Sequence, residues 1–118
     1  MTTEKKERGQ LSEDLVAVFL KKNGFTILAR NFTVRSGEID IVARKDNVFH
    51  FVEVKSIKDT EWADLSEIVS RSKRRKICSA ALIFAKQKNI MDQSISFDVA
   101  AVINDKVNMY YGAFLLGE

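Results

Sequence analysis

Two short runs carry the residue types that could do chemistry. Gly37-Glu38-Ile39-Asp40 holds two carboxylates, and Phe51-Val52-Glu53-Val54-Lys55 holds a third with an amine two positions on. Carboxylates are hard oxygen donors of the kind that bind Mg²⁺, which takes one or two of them with water and substrate phosphate. A lysine beside such an ion can orient or deprotonate an attacking water, or stabilise charge developing on a phosphate. The question is whether the chain brings the two runs onto one surface.

The intervening residues predict that it does. Glu38 to Arg44 alternates strictly, with Glu38, Asp40 and Val42 on one side and Ile39, Ile41 and Ala43 on the other. Asp46-Asn47 is a turn pair, and Val48 to Lys55 is rich in strand formers. A two-residue turn pairs Lys45 with Val48. Counting outward opposes Arg44 with Phe49, Val42 with Phe51, Asp40 with Glu53, and Glu38 with Lys55. Directly opposed residues share a face, so this register gathers Glu38, Asp40, Glu53 and Lys55. A slip of one residue would scatter them. Opposed like charges destabilise a sheet, and a divalent cation would reverse that sign. The alternative is cross-strand salt bridging on a solvated face. Val42, Phe49 and Phe51 share the face with the charges, which points to a cleft beside a hydrophobic patch rather than to open water.

Glu13 adds a further carboxylate. Val16, Ala17 and Leu20 follow it on one helical stripe, whereas Asp14 lies on the side of Lys21. A carboxylate on a packing face needs a partner. Two readings stay open: a member of the reactive cluster, or an early-turn acid favoured by the helix dipole.

These residues must be positioned by ordinary elements. Gln10 to Asn23 reads as a helix with Leu11, Leu15, Val18 and Phe19 on one face and Gly24 as its stop. Phe25 to Phe32 reads as a strand, and Val34-Arg35-Ser36-Gly37 as a turn. Thr60 to Val69 is an irregular connection. Ser70 is a plausible N-cap for a helix reaching about Lys88, with Ile77, Ala80, Ala81 and Phe84 apolar. Two strands, Ile95 to Ile103 and Val107 to Phe114, flank an Asn104-Asp105-Lys106 turn. The order α-β-β-β-α-β-β predicts an α/β fold with a mixed central sheet flanked by helices.

The bulk numbers agree. The 118 residues fit one domain, 1–118, with 1–8 expected to be flexible, and 46% hydrophobic residues allow a packed core. There is no long apolar run and no secretory h-region, so neither a membrane span nor export is expected. The lone Cys78 has no disulfide partner within the chain and sits in an apolar helical stretch; a cytoplasmic location is the expectation. The net charge is +3, which permits a nucleic-acid partner without demanding one. Its distribution is uneven: Arg71, Lys73, Arg74, Arg75 and Lys76 crowd the start of the second helix, where the macrodipole disfavours cations. That conflict favours an anionic partner, against the alternative of a solvated helix start.

At this point the residues resemble a known family. Gly9-x-x-Ser12-Glu13, Asn31, Gly37-Glu38-Ile39-Asp40, Phe51-Val52-Glu53-Val54-Lys55, Lys73 and Phe97-Asp98-Val99 occur in order over roughly residues 9 to 103. This pattern resembles the bacterial YraN-like family. That family is similar to the archaeal Holliday-junction resolvases of the PD-(D/E)xK, restriction-endonuclease-like superfamily. The resemblance implies a restriction-endonuclease-like core and a Mg²⁺- or Mn²⁺-dependent endonuclease hydrolysing DNA phosphodiester bonds, with one or two ions per site and no organic cofactor. It implies that Asp40 and Glu53 bind metal, that Lys55 is the motif lysine, that Glu13 completes the site and that Lys73 serves it from the second helix. Spacing independently turns Lys73 inward, with Ile77, Ala80 and Phe84. The family usually shows an arginine soon after the motif lysine. Here Ser56-Ile57-Lys58 follows, and a lysine lacks the bidentate fork.

Under that reading DNA is the expected partner, held by Lys73, Arg71, Arg74, Arg75, Lys76 and Arg35, with Glu38 in support. The Val54 carbonyl is a further candidate ligand. A homodimer would suit a branched junction, though the sequence identifies no interface. The rivals are a nucleic-acid-binding module on the same fold that cleaves little or nothing and a structural or partner-binding domain whose acids are merely salt-bridged. Trp62 and His50 read as packing residues, and Asp98 as a structural hydrogen-bonder. Zinc-ligand spacing, Walker loops, GxGxxG and a Ser-His-Asp arrangement are absent from the sequence.

Overall fold

The computed structural model describes residues 3–58 and 68–117. It contains helix α1 (Thr3–Lys22), strands β1 (Thr26–Val34), β2 (Gly37–Lys45) and β3 (Val48–Ser56), helix α2 (Arg71–Gln87), and strands β4 (Ser94–Ile103) and β5 (Lys106–Phe114). The order α-β-β-β-α-β-β and the mixed α/β class are those read from the sequence. Most of the connection expected over 60–69, and Trp62 within it, lie outside the described residues.

The strands lie in chain order, β1-β2-β3-β4-β5. All neighbours are antiparallel except β3 and β4, which run parallel. A parallel pair needs a long crossover, and α2 lies in that connection. Among the described residues, one helix covers each face. Val16, Ala17 and Leu20 of α1 pack with Ile41, Ala43, Val52, Ala100 and Val102. Ile77, Ala80, Ala81 and Phe84 of α2 pack with Val42, Phe49, Phe51, Phe97 and Val99. Strand residues thus alternate between two cores, and burying a side chain such as Leu20 or Phe51 stabilises by roughly 1.5–3 kcal/mol.

Local rules explain the boundaries. The Ser70 hydroxyl accepts the Lys73 amide at the start of α2. Gly24, with φ 88, follows α1 in the left-handed conformation that ends many helices. Asp46 and Asn47 have φ 51 and 64, as a tight β2–β3 reversal requires.

Three sequence expectations are corrected. First, α1 begins at Thr3 rather than near Gln10. Its early turns are built from Glu, Lys and Arg, good helix formers that leave no apolar period to detect. Second, its packing stripe runs through Ser12, Glu13, Val16, Ala17 and Leu20, whereas Leu11 and Val18 of the other stripe are exposed. Third, the β2–β3 ladder runs only from Lys45↔Val48 to Ile41↔Val52. The register holds that far, but Asp40 does not pair with Glu53, nor Glu38 with Lys55. Ile39 joins Val42 in the α2-side core instead of following Ile41. The physical reason is a change of hydrogen-bond acceptor: the Val54 amide donates to Asp40 Oδ2 at 2.8 Å.

Candidate functional site

Glu53 lies on β3, flanked in the sheet by β2 and β4. It is only 4% exposed, and its Oε1 is buried with no hydrogen-bond partner among the described residues. Its Oε2 lies 3.8 Å from the Lys73 ammonium. Burial pushes the Glu53 carboxyl up to about 8; the Asp40 charge adds to this, while Lys73 and Lys55 pull it back. Asp40 is half-buried where β2 leaves the ladder, and Lys55 is half-buried one pleat beyond Glu53. The two acids and two lysines therefore meet on the α2 side of the sheet.

This group fits a hard divalent cation. An orphaned buried carboxylate oxygen is costly, and a like-charged neighbour makes it more so. A cation between Asp40 and Glu53 would satisfy the first and cancel the second. Among the described residues no three His, Cys, Asp or Glu side chains gather closely enough to hold a metal by themselves. The protein would therefore supply two carboxylates, leaving the remaining positions to water and a phosphate oxygen, as is common for Mg²⁺.

Glu13 is buried, as its stripe demanded, and its partners are on β1. Its Oε1 accepts from Arg30 Nε at 2.9 Å and Asn31 Nδ2 at 3.0 Å. The Arg30 guanidinium also donates to Asp14 Oδ1 at 2.6 Å, and this bond holds the Asp14 carboxyl below its ordinary range. Sequence reasoning missed Arg30. The need for a cation was legible in the buried acid, but its source depends on β1, whose pairing with β2 shifts between Ile27 and Ala29. Asn31 takes φ 53, a conformation its short polar side chain tolerates.

Glu38 faces β1, where the Thr33 hydroxyl lies 3.4 Å from its Oε2. It lines a shallow hollow of about 280 Å³ with Thr33, Arg35, Ser36, Lys73 and Lys76. Lys73 thus touches both the acid pair and the hollow. Gly37 holds that hollow together: a Cβ there would stand 2.1 Å from the Lys76 carbonyl oxygen, so the β1–β2 turn sits directly on α2. The rest of the basic run disperses. Arg74 folds back, donating from Nε to the Val69 carbonyl at 3.0 Å and lying over the Phe114 ring. Arg75 lines a separate hollow with Cys78, Ser79, Leu82 and Leu116, and Arg71 is exposed.

On the α1 side Asp98 is fully buried. It accepts from His50 Nδ1 at 2.6 Å, the Ser96 hydroxyl at 2.6 Å and the Gly112 amide at 3.0 Å. His50 packs edge-on against Phe25 and Tyr111. Asp98 and His50 are thus joined in a satisfied structural network, on the face opposite Glu53.

No helix among the described residues is long and apolar enough to cross a membrane. The model of the family described as "Uncharacterised protein family UPF0102" matches residues 12–102. A UPF0102 protein of Dictyoglomus turgidum is 41% identical over 98 residues, covering 83% of each chain. One from Clostridium perfringens is 43% identical over 97 residues, covering 82% of this chain and 80% of its own. One from a Sulfurovum species is 43% identical over 102 residues, covering 84% and 86% respectively. The matched span takes in Glu13, Asp40, Glu53, Lys55 and Lys73, and the chain belongs to the UPF0102, YraN-like family.

Proposed function

We propose that this protein is a Mg²⁺- or Mn²⁺-dependent phosphodiesterase acting on DNA. The observation that carries the reading is the buried Glu53, with an oxygen unpartnered among the described residues, beside Asp40 and flanked by Lys55 and Lys73. A structural salt-bridge cluster would give each acid a close cation. Among the described residues, the nearest cation to Glu53 stands 3.8 Å away and one of its oxygens has no hydrogen-bond partner. The similarity of YraN-like sequences to resolvases of the PD-(D/E)xK class points the same way, and DNA is the substrate that similarity supplies.

Asp40 and Glu53 would hold the ion. When bound, it would polarise a phosphoryl oxygen and lower the pKa of a coordinated water. Lys55 would position the attacking water through its ammonium donors. Lys73 would place positive charge opposite the phosphate while restraining the Glu53 carboxylate. Attack at phosphorus would break the bond to the leaving sugar oxygen, which takes up a proton. Arg35, Lys73 and Lys76 would hold the strand at the adjoining hollow.

A second reading, a nucleic-acid-binding module on the same fold that cleaves little or nothing, is favoured by one observation: Glu13 is occupied by Arg30 and Asn31. The test is nicking or cutting of single-stranded, duplex and branched DNA with Mg²⁺ or Mn²⁺, beside Asp40→Ala and Lys55→Ala proteins. Wild-type cleavage lost in both variants is the expected result. Equal behaviour of all three ends the enzymatic reading. DNA binding without cleavage leaves the second.

A further inference from the structure

Exposed apolar side chains are unevenly placed on this protein. Among the described residues nine large ones are exposed, and five of them, Leu82, Met91, Ile95, Leu115 and Leu116, line one connected set of hollows. The first hollow, about 460 Å³, is the one that Arg75 lines with Cys78, Ser79, Leu82 and Leu116. The second, about 390 Å³, lies over Ile95, Phe97, Phe114, Leu115 and Leu116. The third, about 140 Å³, opens between Leu82, Met91, Ile95 and Leu116 and reaches Phe51 of the core. Leu116 lines all three, and Leu82 and Ile95 line two each, so the surface is continuous. A connected exposed apolar surface marks a binding face, whereas scattered single residues do not. Arg75 is the only charged residue lining it among the described residues. It stands in a stripe along one face of α2, Arg71, Arg75, Ser79, Leu82 and Lys86, whose three cations are exposed. Asp92, in the turn beside Met91, lines none of the three hollows.

Shape and charge select the occupant. Hollows of side-chain size suit an amphipathic helix, which delivers apolar residues at i, i+3/i+4 and i+7. A bilayer is flat and would leave them empty. Strand addition at the β5 edge is opposed here, because β5 shifts register against β4 between Phe97 and Val99 and Gly112 takes φ 61, breaking the regular row of edge groups. A second copy of the chain fits poorly too. A two-fold contact meets itself, so it would set the Arg71–Arg75–Lys86 stripe against its own cations. We propose that this surface docks an amphipathic helix of another protein, apolar on the face that enters the hollows and acidic along the edge that meets α2. The proposal is independent of the chemistry assigned to Asp40 and Glu53.

The test is selection of helix-forming peptides from a displayed random library on the full wild-type chain. The Leu82→Asp/Leu116→Asp protein is present in excess, to remove peptides that bind elsewhere. Both leucines are exposed, so this variant keeps its core. The selected peptides are expected to carry apolar residues at helical spacing with Asp or Glu beside them, and to shift the amides of Leu82, Met91 and Leu116 in NMR titrations. By fluorescence anisotropy they should bind the double variant about tenfold or more weakly. Arg75→Glu, which keeps the leucines, should bind them severalfold more weakly and prefer versions with Lys in place of the acids. No enrichment against the double variant overturns the proposal. So do selected peptides without acidic residues, or unaltered binding to Arg75→Glu. Self-association in sedimentation that the double variant abolishes would assign the surface to a second copy. Binding to phosphatidylglycerol vesicles that it abolishes would assign it to a membrane, and displacement of the peptides by an oligonucleotide would assign Arg75 to a nucleic acid. Each of these results also overturns the helix.

Discussion

Asp40 Oδ2 accepts the Val54 amide at 2.8 Å, at the point where β2 and β3 cease to pair. A carboxylate has thus replaced a backbone carbonyl as the acceptor for β3. The same side chain that faces Glu53 terminates the ladder, so sheet geometry and site geometry are fixed by one residue.

Asp40→Asn and Asp40→Ala should therefore separate structure from chemistry. The amide oxygen of Asn can still accept from Val54, whereas Ala leaves that donor unsatisfied. Urea unfolding near pH 7 should show Ala costing about 1–3 kcal/mol and Asn costing less. Both should abolish metal-dependent cleavage.

Glu53 should make the protein less stable as pH rises. Its carboxyl is raised to about 8 in the fold, mainly by burial, against 4.5 ordinarily. Below pH 4.5 both states hold the proton. Between 4.5 and 8 the native state keeps a proton that the unfolded chain has released, so stability falls across that window and then levels off. Glu53→Gln should remove this dependence. Its unfolding free energy should exceed that of wild type by the most near pH 9, on the order of a few kcal/mol, and converge with it near pH 4. Parallel pH profiles for the two proteins would refute the assignment.

Adding Mg²⁺ or Mn²⁺ should act in the opposite direction. The ion needs the charged form of Glu53, so binding at pH 7 should release a proton, and affinity should climb as pH approaches 8. Calorimetry in buffers of different ionisation enthalpy measures that proton directly. Glu53→Gln should show neither proton release nor comparable affinity.

Lys73 and Arg74 are neighbours in sequence with different surroundings. Lys73→Ala removes the cation nearest Glu53 and should lower kcat/KM by about tenfold or more. Arg74→Ala removes a bond to the Val69 carbonyl and a contact over Phe114, and should cost about 1 kcal/mol of stability. Steady-state kinetics beside thermal melts distinguishes them.

Gly37→Ala should destabilise by roughly 1–3 kcal/mol, because the added methyl would overlap the Lys76 carbonyl and force the turn off α2. Thermal melts measure the loss, and competition between short oligonucleotides should show the Arg35–Lys73–Lys76 hollow weakened with it.

Much of this arrangement was legible in the sequence, for reasons that particular residues make clear. Asp46-Asn47 set the hairpin register correctly as far as Ile41↔Val52, because turn chemistry acts locally. Ser70 and the Ile77–Phe84 stripe located α2 and turned Lys73 toward Glu53. What failed was extrapolation. Counting beyond Ile41 assumed an unbroken ladder, and nothing in the local pattern announces that a carboxylate will capture the Val54 amide. Glu38 consequently belongs to the β1 side. Arg30 was invisible as the partner of Glu13 because it depends on how β1 is seated against α1. In α1 two apolar stripes competed, and only the packed structure shows that the one through Ala17 wins.

The near-contact of Gly37 with Lys76 has a kinetic corollary. Backbone meets backbone there, so the turn bearing Arg35 and the helix bearing Lys73 and Lys76 cannot slide independently. If the hollow takes a nucleic-acid strand, as proposed, it is preassembled for it, and its occupation should proceed in one bimolecular phase, its rate linear in ligand concentration.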